Sequence, residues 1–137
     1  MIDISDTSEV SRATLYNHYR DKNAVLQALL TREVEELVER ATNAGTPADT
    51  LETLSQYIST DSALAAMRKH DAQLLIDMLV HSENALYLLL AQCVYSATKS
   101  EAGTGLAMRW LLGQVTQPIT AQQSREQAEL LVERTLF

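Results

Sequence analysis

Apolar residues recur at three- and four-residue spacing along almost the whole chain, and no stretch alternates apolar with polar long enough to make a half-buried strand. That periodicity leaves an all-α fold. From Asp21 onward, "DKNAVLQALLTREVEELVERATNA" sets Leu26, Leu30, Val34, Leu37 and Ala41 on one stripe, widened by Val25 and Leu29, with Asp21 as N-cap. Asn43, Gly45 and Pro47 supply the stop. A second helix is expected from about Ala48 to Ser59 with Leu51, Leu54 and Ile58 inward, and Thr60 or Asp61 caps a short third segment, "SALAAMRKH". "DAQLLIDMLVHS" and "ENALYLLLAQCVYSATKS" are apolar nearly all round, which predicts helices buried in the middle of a bundle. "SEAGTG" reads as the clearest loop of this half. After it come "LAMRWLLGQVTQ" and, beyond Pro118, a helix with Ala128, Leu131, Val132, Thr135 and Leu136 on one stripe.

Hydrophobic residues make up 46% of the 137, enough for a sizeable core, and the scarcity of Gly and Pro argues against disorder. The formal charge of −7 excludes a general basic coat for nucleic acid or anionic lipid. Charge is unevenly spread, however: Arg12, Arg20 and Lys22 against only Asp21 make residues 11–22 locally positive, between an acidic start and an acidic remainder. Cys93 is the only cysteine, so no internal disulfide forms, and its apolar neighbours place it in the core. The start "MIDISDTSEV" has acids where a secretory leader has lysines, and no apolar run is long enough to span a bilayer. A cytoplasmic chain with no membrane partner is expected.

The locally basic stretch is also the most chemically crowded. "DISDTS" has helical character and is followed by Val10 and Ser11, an order of helix, tight turn and capped helix that reads as helix-turn-helix. On the second of these helices Leu15 and Tyr19, four apart, share the inward face, while Arg12, Ala13, Tyr16 and Asn17 look outward. Arg12 and Asn17 offer donors to base edges, Ala13 allows close approach to a major groove, and Thr14, Tyr16 and His18 reach phosphate oxygens. Lys22 in the first turn of the next helix opposes the helix dipole unless an anion sits there, which a phosphate would satisfy.

The stretch "VSRATLYNHYRDKNAVLQALL" resembles the recognition helix and following helix start of TetR-type transcriptional regulators, whose pattern runs V-S-x-x-T-L-Y-x-H-F-x-x-K before an apolar helix. Val10, Ser11, Thr14, Leu15, Tyr16, His18 and Lys22 match, with Tyr19 in place of Phe. The resemblance implies a helix-turn-helix head over residues 1–21, a helical ligand-binding and dimerisation domain over 22–137, and a homodimer on a double-stranded DNA operator. By the same likeness, Arg12, Ala13 and Asn17 face bases, and Ser11, Thr14, Tyr16, His18 and Lys22 hold the backbone. The last two helices are expected to form a four-helix dimer interface through Leu106, Trp110, Leu131, Val132 and Leu136, setting the reading helices about one DNA turn, roughly 34 to 36 Å, apart. The family's first helix does not precede this motif here, so the head is expected to be truncated and loose, with Ile4, Val10, Leu15 and Tyr19 short of cover.

Other chemistry is thinly supported. His70 and His81, with Asp71, Asp77 or Glu83 nearby, lack the i, i+4 spacing of paired metal ligands, and neither Gly-x-Ser-x-Gly nor a Cys/His pair suggests a nucleophile. No catalysis, metal or cofactor is implied. Met67, Met78, Tyr87, Cys93, Tyr95, Met108 and Trp110 are the residues expected to line a pocket for a small-molecule effector, since pockets between helices are largely apolar; core packing is the competing reading for each. The reading is a ligand-responsive repressor, with a helical ligand-binding or dimerisation module that has lost DNA binding as the alternative.

Overall fold

The computed structural model describes residues 22–79 and 85–135. Among them the secondary structure is helical, with no strand: α1 (Lys22–Thr42), α2 (Pro47–Thr60), α3 (Ser62–His70), α4 (Ala72–Leu79), α5 (Ala85–Thr98), α6 (Glu101–Thr116) and α7 (Ala121–Thr135). None of these helices is long and apolar enough to cross a membrane. The expected helices before Asp21, and its role as a cap, lie outside the described residues. Two compact units are distinguished, Met1–Glu33 and Val34–Phe137, with the division inside α1.

Helix starts follow local side-chain chemistry. Thr46 accepts from the amide of Asp49 at 3.1 Å while Asp49 Oδ2 accepts from the amide of Thr46 at 3.0 Å, a reciprocal cap with Pro47 behind it. Asp61 accepts from the Leu64 amide at 2.9 Å to open α3. Thr120 and Gln123 repeat the reciprocal pattern at the start of α7, at 3.1 and 2.9 Å. Each cap satisfies amides that the first helical turn leaves without partners. Gly45, at φ +129°, makes the turn between α1 and α2, where a Cβ would stand 2.8 Å from Asp49 Oδ2.

The second unit is built around α2. Leu51 and Leu54 are fully buried and Ile58 nearly so, against α5, α6 and most extensively α7. Leu37 and Ala41 of α1 join this core, as do Cys93, Val94, Ala97, Ala107, Met108, Leu111, Val115 and Ala128. The stripe read on α1 is realised there at Leu37 and Ala41, whereas Leu29, expected to widen it, is exposed. Thr50 Oγ1 donates to the carbonyl of Ala41 at 2.9 Å, and the Arg40 guanidinium lies 5.8 Å from the Tyr57 ring centroid, so the end of α1 is fastened to α2 by polar contacts as well.

Two further expectations fail. "SEAGTG" is not a loop: Ser100 Oγ accepts from the Gly103 amide at 3.0 Å, the hydroxyls of Thr98 and Thr104 meet at 2.9 Å, and α6 begins at Glu101. The turn contracts to Lys99 and Ser100, with Lys99 in the left-handed region at φ 56°. Nor are α4 and α5 buried all round: on α4 Leu75 is buried but Ile76 is exposed. Cys93, Val94, Ala97 and Thr98 face inward, but Leu88 and Tyr95 are exposed because α2, α6 and α7 cover only one side.

Leu54→Ala, at a fully enclosed position, should cost about 2–5 kcal/mol in chemical denaturation. The carboxyl of Asp49 is held below its ordinary range by its bonds to Thr46, with Arg125 adding to the effect. A depressed folded value stabilises above the unfolded one and is lost as pH falls through the folded one. Asp49→Asn should therefore lower the melting temperature near neutrality, and the gap from wild type should begin to narrow as pH falls below about 3.9 and close only below the depressed folded value.

Candidate functional site

The residues expected to contact DNA, Ser11, Arg12, Ala13, Thr14, Tyr16, Asn17 and His18, lie outside the described residues, as does the side chain of Lys22. The residues expected to line an effector pocket are divided by the structure. Cys93 and Met108 are core side chains. Met67, Tyr87 and Trp110 are half-buried and pack against that core, and the side chain of Met78 lies outside the described set. All of those described belong to the second unit. Cys93 Sγ lies 3.8 Å from Thr42 Oγ1, and burial pushes its thiol pKa up against a smaller lowering by that hydroxyl, so it is poorly suited to act as a thiolate.

Trp110 has a partner within its own chain: its indole Nε1 donates to Gln127 Oε1 at 2.6 Å, bridging α6 and α7. Leu131 and Val132 likewise pack on the core of their own chain, while Leu106 is exposed and Leu136 lies outside the described residues. Of the residues expected at a dimer interface, Leu106 alone is both described and exposed.

The most organised polar arrangement was not anticipated in the sequence. Ser55 of α2, Gln114 of α6 and Ser124 of α7 are buried together, with half-buried Ser59 beside them. Gln114 Oε1 accepts from Ser55 Oγ at 2.6 Å and from Ser59 Oγ at 2.8 Å, while its Nε2 donates to the Trp110 carbonyl at 3.3 Å. That carbonyl fixes the orientation of the amide, since the reverse would set oxygen against oxygen. Ser55 spends its proton on Gln114, so Ser124, 2.6 Å away, must donate to Ser55. Ser59 in turn accepts from the amide of Ile119 at 3.1 Å, reaching into the α6–α7 connection.

The protons of Ser55, Ser59 and Ser124 in this network each have a defined direction. Its bonds run between hydroxyl, amide and backbone groups, none of which is a general base, so the arrangement locks helices together and does not activate a nucleophile. Its trace in the sequence was a polar residue on an otherwise apolar stripe: Ser55 beside Leu51 and Leu54, Gln114 three after Leu111, Ser124 four before Ala128. Beside Gln114, in the last turn of α6, Arg68 of α3 donates to the Val115 carbonyl, a cation well placed at a helix C-terminus.

No protein-family model, curated protein or solved structure matches the chain.

Gln114→Leu should destabilise the fold by about 1–3 kcal/mol for each hydroxyl it strands. Adding Ser55→Ala should recover part of that loss, and a double-mutant cycle in urea would measure the coupling; strict additivity would mean that the two side chains do not depend on each other.

Proposed function

We propose that this chain is a ligand-responsive, DNA-binding transcriptional regulator of the TetR type, a repressor acting as a cytoplasmic homodimer. The observation that carries the reading is the ordered match of Val10, Ser11, Thr14, Leu15, Tyr16, His18 and Lys22 to that family's recognition segment, within a locally basic stretch of an acidic chain. The all-helical architecture is compatible with it, and so is a second unit with its own core, as a separate effector-binding body requires. In this reading Tyr16 and Lys22 hold phosphates, whereas Arg12 and Asn17 read bases. An apolar effector entering beside Met67, Tyr87 or Trp110 would shift the population of dimers away from the spacing that fits consecutive major grooves.

A second reading follows from the same self-contained core: a helical ligand-binding or dimerisation module without DNA binding. The two separate in a duplex-binding titration across a salt series, using a randomised duplex pool to select a preferred site. The regulator should show steep salt dependence, and Tyr16→Ala with Lys22→Ala should weaken binding to all sequences and shrink the log–log slope by about one per lost contact. Asn17→Ala should instead alter the selected sequence. Absence of duplex binding at low salt would leave the module.

A further inference from the structure

Helix α3 is fixed to the second unit more lightly than the helices around it. It encloses none of its residues, whereas α2, just before it, encloses Leu51, Leu54 and Ile58, and α6 encloses Met108 and Leu111. Leu64 and Met67 are half-buried and rest on the core, while Ala63, Ala65, Ala66, Lys69 and His70 are exposed. Its main neighbour is α4, and it touches α6 more thinly. Among the described side chains of α3 and α4, Leu75 is the one enclosed. Segments that bury little apolar surface are those that open without unfolding the rest.

The joints on either side of α3 allow such a movement. Asp61 alone connects α2 to α3: its amide donates to the Tyr57 carbonyl at 2.9 Å, closing α2, and its carboxylate accepts from the Leu64 amide at 2.9 Å, opening α3. Rotation about the N–Cα bond of Asp61 breaks neither bond, because the amide stays with α2 and the side chain travels with α3. Its backbone stands at φ −66° and ψ 126°, and at that ψ the extended region is open to a φ of about −160°. At the other end Asp71 alone connects α3 to α4, its amide donating to the Met67 carbonyl at 2.7 Å. Packed on each other across so short a connection, α3 and α4 travel together.

Arg68 holds the end of α3 remote from Asp61. It donates to the Val115 carbonyl in the last turn of α6, where a helix leaves carbonyls without partners of its own. A cationic donor makes this a stronger bond than an amide would make, and a swing about Asp61 breaks it.

We infer that α3 and α4 form a flap that opens by turning about Asp61, that the bond from Arg68 to Val115 is its latch, and that opening uncovers Leu75 and the C-terminal end of α6 while α2, α5, α6 and α7 stay folded. The flap works whether or not the chain binds DNA.

Amide hydrogen exchange read by mass spectrometry on the full chain tests this. After correction for intrinsic rates, α3 and α4 should exchange at least about tenfold faster than α2 and α7. Arg68→Met should speed α3 and α4 by about ten- to a hundredfold, as loss of a hydrogen bond from a charged group does, and Arg68→Lys, which keeps a cationic donor, should restore most of the protection. Leu51→Ala separates the flap from unfolding of the whole domain. Leu51 is fully enclosed near the start of α2, away from Asp61, and its packing persists when the flap is open. The change should speed α2 and α7 at least about thirtyfold and leave α3 and α4 within about threefold. Leu51→Val replaces it if the alanine variant does not fold, with a smaller acceleration of α2 and α7 and the same indifference of α3 and α4. Equal acceleration of all these helices by the Leu51 change would overturn the flap, and wild-type exchange of α3 in Arg68→Met would overturn the latch.

Discussion

The contact between α2 and α7 is the one on which the rest of the second unit depends. Ser55 and Ser124 meet at 2.6 Å, and their small size lets the two helices approach closely while Leu51, Leu54 and Ile58 fill the flanking space. Apolar packing supplies most of the free energy here, yet it is non-directional and tolerates sliding. The hydroxyl chain does not tolerate it. Turning α7 by one residue would bring Gln123 or Arg125 to the position of Ser124, and an arginine there would bury a charge without its carboxylates. Burial and hydrogen bonding thus divide the labour, one holding the helices together and the other choosing their register.

Polar contacts at the rim behave differently. Arg125 reaches three carboxylates, but it is about half exposed and its bonds exchange with water, so its contribution to stability is small. The Trp110 and Gln127 pair is better placed, because half-buried Trp110 both packs on the core and spends its only donor across the α6–α7 contact. A residue expected to line an apolar ligand cavity thus also spends its indole donor on holding two helices of its own chain.

Helix type and most boundaries were legible because period and caps are local. Leu51, Leu54 and Ile58 announce the inward face of α2, and Asp61 announces the start of α3. The glycines of "SEAGTG" misled, since Gly103 is buried near the start of α6 and Ser100, three residues earlier, makes the cap. Leu88 and Tyr95 misled in the other direction: an apolar sequence cannot say how many neighbours a helix will have. Buried Ser55, Gln114 and Ser124 escaped notice because they acquire meaning only when three helices converge. The residues proposed to read DNA are legible as a motif alone.

The pairing of Ser55 with Ser124 spans 69 positions of sequence. During synthesis α2 therefore emerges from the ribosome long before the helix that completes its shell, while α5 and α6, joined by Lys99 and Ser100, can pair soon after they appear. Until α7 arrives, the leucine stripe of α2 has an open side. A nascent chain stalled before Ala121 should present that side to chaperones, and release of α7 is the step that covers it.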